Sequence, residues 1–149
     1  MIGIALYSPK NIHNWGSILR LATNFNVDFC CTIQSRYKRQ WADTTNFAKN
    51  NPVFHFEDIS QFLVSYPKQC KLISVEINSR ALSLEKFIHP ENAIYIFGPE
   101  EGSINNYLID NSDICLKITS NRCLNQAMCA GAVLFHRHLQ EFNRERVLP

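Results

Sequence analysis

The sequence lacks any apolar run long enough to cross a membrane, and it has few residues that break regular structure. Its apolar stretches all fall well short of the roughly 20 residues that a transmembrane helix requires. Only 5 Gly and 6 Pro occur among 149 residues, so the composition is that of an ordinary globular chain and does not indicate disorder. Residues 1–7 have neither a basic lead nor a small-residue cleavage site, so we expect no signal peptide and a cytoplasmic protein.

The chain also lacks the spacings of a metal site and any strong excess of charge. Six Cys and five His are present, but no C-x-x-C pair occurs and the histidines are scattered, so we expect free thiols and no metal. Fifteen Lys and Arg against thirteen Asp and Glu leave a net charge of +2. The field of the whole molecule is therefore too weak to indicate nucleic acid.

One local cluster does combine positive charge with aromatic rings. It contains Arg36, Tyr37, Lys38, Arg39 and Trp41. Cations interleaved with stacking rings are typical of nucleic-acid binding surfaces. A solvated loop after a strand has the same composition, so both interpretations stay open at this point.

The apolar pattern predicts an α/β fold with a parallel sheet flanked by helices. Strands are predicted at residues 2–7, 27–33, 71–77, 93–97 and 114–118. Helices are predicted at residues 14–25, with Asn14 as the N-cap, and at 44–49, 59–66 and 124–142. The alternation requires parallel strands joined by crossovers, and no linker divides the chain. We therefore expect one domain over residues 1–149.

Three loops that follow predicted strands carry unusual polar residues. Ligands of open parallel sheets bind outside the carboxyl ends of the strands. After the first strand, Asn14, Ser17 and Arg20 are spaced by three and share one side of a helix start. That side suits phosphate or ribose oxygens, although a plain cap with a solvent-facing arginine is the alternative.

The second loop contains a glycine turn, and the third leads into a helix start that is rich in small residues. Gly98 would let a ligand approach the backbone, and Glu100 could accept hydrogen bonds from a ligand or from the arginine of another loop. A turn with acidic first-turn residues is the alternative there. Beyond Asn125, Gly131 stands inside the last helix, where it costs roughly 1 kcal/mol relative to Ala, so we expect close packing around it.

At these loops the sequence resembles the SpoU (TrmH-like) branch of the SPOUT RNA methyltransferases. The branch carries the motifs N-x-G-x-x-x-R, F-G-x-E and x-L-N, in that order. Here they stand at residues 14–20, 97–100 and 123–125. The chain departs from many members in having Cys123 in place of Ser and Ile118-Thr119 in place of Ile-Pro.

The resemblance implies a fold, a cofactor and an assembly. Members have a deep trefoil knot in the C-terminal half, form homodimers through the first and last helices, and bind S-adenosylmethionine, which leaves as S-adenosylhomocysteine. They need no metal. By resemblance, the expected cofactor contacts in this chain are Ile77, Asn78, Phe97, Gly98, Glu100, Ile118 and Leu124.

The resemblance also implies catalytic roles in methylation of a ribose 2′-hydroxyl. The residue matching Arg20 acts on the hydroxyl, those matching Asn14 and Glu100 orient it, and the one matching Asn125 shapes the site. Because a guanidinium does not lose its proton near neutrality, we expect Arg20 to stabilise the developing alkoxide. Ribose methylation needs no thiol nucleophile, and a covalent role for Cys123 is only the alternative.

Members of this size have no separate RNA-binding domain, so the RNA is expected to contact the dimer surface. Arg36, Lys38 and Arg39 are the candidate contacts. Transfer RNA is the leading substrate and ribosomal RNA the second. A non-catalytic RNA-binding or cofactor-sensing dimer of the same fold is the alternative function.

Overall fold

The computed structural model describes residues 1–35 and 43–147 as a seven-stranded parallel sheet with helices on both faces. The strands are β1 Ile2–Tyr7, β2 Phe29–Ile33, β3 Val53–Phe56, β4 Lys71–Val75, β5 Leu82–Ser83, β6 Ala93–Phe97 and β7 Ile114–Lys117. The helices are α1 Ile12–Asn24, α2 Phe47–Asn50, α3 Ile59–Ser65, α4 Asn106–Asp110 and α5 Gln126–Val147, with a 3₁₀ turn at Leu84–Lys86. This confirms the predicted parallel α/β architecture.

Alternate residues along the central strands enter two separate buried layers. Ile4 and Leu6 of β1 belong to the core that contains the inner faces of α1 and α5. Ala5, between them, belongs to the core on the other face, which contains residues of α3 and α4. The two-residue period of a strand produces this division, and burial on both faces accounts for the continuous apolar sequence of β1 and β6.

The elements missed by the apolar pattern are β3, β5 and α4. They are four, two and five residues long, respectively, which is too short for a periodic signal. The other elements occur where predicted, with small shifts at their ends. The last helix, for example, begins two residues later than predicted and continues five residues further, to Val147.

The start of α1 differs from the prediction that Asn14 is its cap. Asn11 is the N-cap: its backbone is extended, and its side-chain oxygen accepts a hydrogen bond from the backbone N–H of His13 at 2.8 Å. Asn14 therefore lies inside the first turn, where its side chain can reach another loop.

The strand order places the polar loops at one edge of the sheet. The order is β3-β2-β1-β6-β4-β7-β5, so β6 lies between β1 and β4. Phe97, at the end of β6, is in register with Leu6 of β1 and Val75 of β4, and Val75 is in register with Leu116 of β7. The carboxyl ends of these four strands therefore lie side by side. None of the helices in the described ranges has the length and apolarity of a membrane span.

Candidate active site

Glu100 joins the loop after β6 to the loop after β1. Its Oε1 atom accepts hydrogen bonds from the Asn14 side-chain amide at 2.9 Å and from the Asn11 backbone N–H at 3.2 Å. Its Oε2 atom accepts from the Lys10 backbone N–H at 3.1 Å. Two motifs that are 86 residues apart in the sequence are thus in direct contact.

These contacts decide the ionisation of Glu100. Partial burial alone would raise the pKa of its carboxyl group. The hydrogen bonds from Asn14 and from the backbone of Lys10 and Asn11 outweigh that effect and hold the pKa below the ordinary value of 4.5. The carboxylate is therefore ionised at neutral pH and acts as an acceptor.

We expect Glu100→Gln to lower the free energy of unfolding by about 1 kcal/mol at neutral pH, because one amide oxygen replaces an ionised acceptor. A folded-state pKa below the unfolded value gives stability that is present above 4.5 and is lost as the pH falls through the folded-state pKa. Urea unfolding of the wild type and the variant should therefore differ by a constant amount above about pH 6 and converge in acid. Glu101→Gln is the control, because the Glu101 side chain is 88% exposed; an equal loss in both variants would contradict the prediction.

A cavity of about 200 Å³ opens at the carboxyl ends of β4, β6 and β7 and extends to the start of α5. Six of the seven expected cofactor contacts line it: Ile77, Phe97, Gly98, Glu100, Ile118 and Leu124. We call it the cofactor cavity. Asn78 is not among these lining residues, and its side-chain oxygen accepts a hydrogen bond from the backbone N–H of Arg80 at 2.9 Å, closing a local turn. The expected cofactor contact with the backbone near Ile77 and Asn78 stays a prediction.

Gly98 is required by the protein's own packing at this cavity. A Cβ atom at this position would lie 3.0 Å from Cγ1 of Ile104 and 3.4 Å from its backbone nitrogen. The loop after β6 therefore folds back over the end of its own strand. Close approach of a ligand, the reason inferred from the sequence, stays a prediction at the same position.

Two polar residues of the cofactor cavity were missed by the sequence analysis. Gln126 is only 4% exposed, and its Nε2 atom donates to the Gly98 carbonyl at 2.5 Å. Its Oε1 atom has no hydrogen-bond partner among residues 1–35 and 43–147. Glu76 follows β4 directly, and its Oε2 atom accepts from the Ile104 backbone N–H at 2.9 Å. The strand-end rule that selected Glu100 also points to Glu76, whereas only the three-dimensional structure reveals the burial of Gln126.

A groove between α1 and α5 adjoins the cofactor cavity. Asn14, Arg20 and Asn125 line this α1–α5 groove, and Leu124 lines both spaces. The Arg20 guanidinium donates to the Thr44 hydroxyl at 2.7 Å, so its described partner is not Glu100. The Oδ1 atom of Asn125 accepts from the Met128 backbone N–H at 2.8 Å, which makes this residue the cap of α5.

The remaining candidate residues are the predicted RNA contacts and the cysteines. Arg36, Lys38 and Arg39 lie outside the described residues. All six cysteines are free thiols, and Cys30, Cys31 and Cys70 are buried. Cys123 is exposed and lines the cofactor cavity.

The sequence profile of the SpoU rRNA Methylase family matches residues 1–135. This chain therefore belongs to that family, and it is an RNA methyltransferase of the SpoU class. No protein with a curated function matches the sequence significantly.

Solved structures resemble this fold along nearly the whole chain. One, described under the 2-OH methylation of C/U34 on tRNA, is 20% identical with a TM-score of 0.81, covering 97% of this chain and 98% of that one. The TrmH/SpoU tRNA modifying enzyme of A. aeolicus is 14% identical with a TM-score of 0.83, covering 97% and 77%. The AdoMet-bound rRNA methyltransferase of Sinorhizobium meliloti is 14% identical with a TM-score of 0.81, covering 99% and 57%. At these identities the likeness shows the fold.

Proposed function

We propose that this protein transfers the methyl group of S-adenosylmethionine to a ribose 2′-hydroxyl of RNA, with tRNA as the substrate. One observation carries the proposal: the hydrogen bond from Asn14 to Glu100 connects the cofactor cavity to the α1–α5 groove that contains Arg20. A methyl donor in the first space and an RNA hydroxyl in the second would meet at that connection. Holding two reactants in such an arrangement is a large part of catalysis.

The cofactor cavity has the chemistry that S-adenosylmethionine requires. The buried Oε1 atom of Gln126 has no partner within the described protein, and a buried acceptor of that kind calls for a donor from a ligand. The cofactor offers hydroxyl, amino and ammonium donors. Phe97, Ile118 and Leu124 supply apolar surface for its adenosine.

In the proposed reaction, bound S-adenosylmethionine supplies an electrophilic sulfonium methyl group. The ribose oxygen would bond to that methyl group as the sulfur–methyl bond breaks, and the hydroxyl proton would leave to solvent. Arg20 stabilises the developing alkoxide as a fixed cation. Glu100 holds Asn14, and Asn125 caps the start of α5, so that Asn14 and Asn125 both border the groove.

The proposal includes one domain over residues 1–149 with a deep trefoil knot in its C-terminal half. Contacts around α5 support the knot. The start of α5 is bound to Gly98 through Gln126, while further along the helix Gln140 donates to the Phe87 carbonyl at 2.5 Å and His136 hydrogen-bonds to His89. Helix α5 thus contacts both the loop after β6 and the segment that precedes β6.

The proposed assembly is a homodimer through α1 and α5. Met128, Phe135, Leu139 and Phe142 lie on one face of α5 at helical spacing, and each is at least 40% exposed. A Cβ added at Gly131, near that face, would meet Leu21 of the same protomer at an ordinary 3.7 Å. The expected close packing at Gly131 is therefore not found within the protomer, which favours a second copy as the reason for the glycine.

Support for tRNA comes from the solved structure described under 2-OH methylation of C/U34 on tRNA, which matches this chain over almost its full length. Arg36, Lys38 and Arg39 remain the proposed RNA contacts on the dimer surface. Ribosomal RNA and a non-catalytic RNA-binding dimer are the competing outcomes of the tests.

The deciding experiment combines calorimetry with nucleoside mass spectrometry. Purified protein is titrated with S-adenosylmethionine and S-adenosylhomocysteine, and nucleosides from tRNA and rRNA are compared with and without the gene. A missing 2′-O-methyl nucleotide in tRNA, restored by wild-type protein, supports the proposal. Loss of the nucleotide from rRNA would identify rRNA as the substrate in place of tRNA, and loss of a base methylation would contradict ribose methylation. The absence of binding heat at millimolar cofactor would contradict the proposal that the protein is a methyltransferase.

The orphan acceptor of Gln126 makes a separate prediction. We expect Gln126→Leu, of similar size, to weaken S-adenosylmethionine binding about tenfold, because a hydrogen bond to the cofactor is lost. Calorimetry measures the change. Asn125→Ala is the comparison, since it removes the neighbouring helix cap outside the cofactor cavity. Equal weakening in both variants would assign Gln126 a structural role instead.

A further inference from the structure

Glu76 brings a second carboxylate into the cofactor cavity, and its described contacts leave its charge unopposed. Glu76 and Glu100 both line the cavity, together with one cation, Lys117. Among residues 1–35 and 43–147, no salt bridge involves Glu76. The part of the lining that the structure describes therefore has one more negative than positive charge.

The hydrogen bonds of Glu76 hold it in position without neutralising it. Its Oε1 atom accepts from the backbone N–H of Ile77 and its Oε2 atom from that of Ile104, both at 2.9 Å. Both donors are uncharged backbone groups from two different loops. The carboxylate is thus fixed at the wall of a partly enclosed space, where charges interact more strongly than in open water.

The field of Glu76 also extends across the cavity to other groups. Burial, with smaller contributions from the nearby Cys123 and Glu76, raises the pKa of the Cys129 thiol to about 11. Cys129 lines the same cavity from α5, whereas Glu76 lies at the end of β4. A charged ligand between these elements would lie within the same field.

We propose that Glu76 makes the cofactor cavity select the charged methyl donor over its neutral product. This inference rests on the proposed function. S-adenosylmethionine has a sulfonium, an ammonium and a carboxylate, for a net charge of +1, whereas S-adenosylhomocysteine has a thioether and no net charge. A net negative lining stabilises the first and leaves the second nearly unaffected. The protein then releases product readily and suffers little product inhibition.

The test compares the binding of both ligands to wild type, Glu76→Gln and Glu101→Gln by calorimetry. Gln at position 76 keeps an oxygen that can accept from Ile104 but removes the charge. We expect the ratio of the Kd for S-adenosylhomocysteine to the Kd for S-adenosylmethionine to fall about tenfold in Glu76→Gln, equivalent to about 1.4 kcal/mol. Glu101 lies outside the lining, so Glu101→Gln should leave the ratio unchanged.

Two further readouts separate charge from structure. Raising the salt concentration should lower the ratio in wild type and have little effect in Glu76→Gln, because salt screens the charge. Sinefungin has an amine where the donor has its sulfonium. Its binding should therefore weaken in Glu76→Gln as the binding of S-adenosylmethionine does. Equal weakening of all three ligands would overturn the inference and leave the methyltransferase intact, whereas no binding of any ligand to wild type would overturn the proposed function itself.

Discussion

Arg20→Ala is expected to lower the kcat of methyl transfer about 10²- to 10³-fold, the usual effect of removing one group that stabilises a developing oxyanion. Arg20 is exposed and its described hydrogen-bond partner is Thr44, so its removal should leave folding nearly unchanged. The side chain does not line the cofactor cavity, and the Kd for S-adenosylmethionine should stay within a factor of two or so of wild type.

Single-turnover methylation of tRNA, with calorimetry on the same protein, measures both quantities. Thr44→Val is the matched control, since it removes the hydroxyl that accepts from Arg20 but keeps the guanidinium. We expect the kcat of that variant to fall less than about tenfold, because only the positioning of the guanidinium is affected. Activity of Arg20→Ala within tenfold of wild type would assign the chemistry to another group, and its dissociation into monomers would place Arg20 in the interface.

The second large effect is expected for Met128→Glu combined with Phe135→Glu, which should convert the dimer to monomers. Both side chains are more than half exposed in the protomer, so each would gain about 1 kcal/mol from burial at an interface. In a two-fold symmetric dimer each substitution counts twice, which gives on the order of 4 kcal/mol, or about 10³ in the dimer Kd. The desolvation of four new carboxylates adds to that loss.

Light scattering during gel filtration measures the mass, and the methylation assay shows whether activity depends on the dimer. Val64→Glu is the control, because Val64 is 80% exposed on α3, an element of the other layer. That variant should keep the wild-type mass. A double variant of α5 with unchanged mass and activity would remove α5 from the interface, and wild-type protein that is already monomeric would contradict the proposed assembly directly.

Contacts between distant loops form the candidate site, and the sequence reveals some of its residues better than others. Glu100 was selected because it follows a buried strand, and the structure places it against Asn14. Asn78 was selected by resemblance for a backbone contact, and its side chain closes a local turn. Gln126 was not selected at all, although its buried amide lines the cavity and donates to Gly98. Polar residues beside a motif give no periodic signal, so the sequence does not show which way their side chains point; the surrounding backbone decides this.

The sequence by itself determined the layers of this protein. The continuous apolar runs of β1 and β6 required strands buried on both faces, and their alternation with helical patterns required parallel crossovers. Order along the sheet was decided only by tertiary packing, because strands of similar composition can pair in several ways. The position of β6 between β1 and β4 is what brings Glu100 to Asn14 and Glu76 to the same cavity. A local sequence pattern predicts which residues are buried. Which strands become neighbours depends on the packing free energy of the whole core, to which residues far apart in the sequence contribute together.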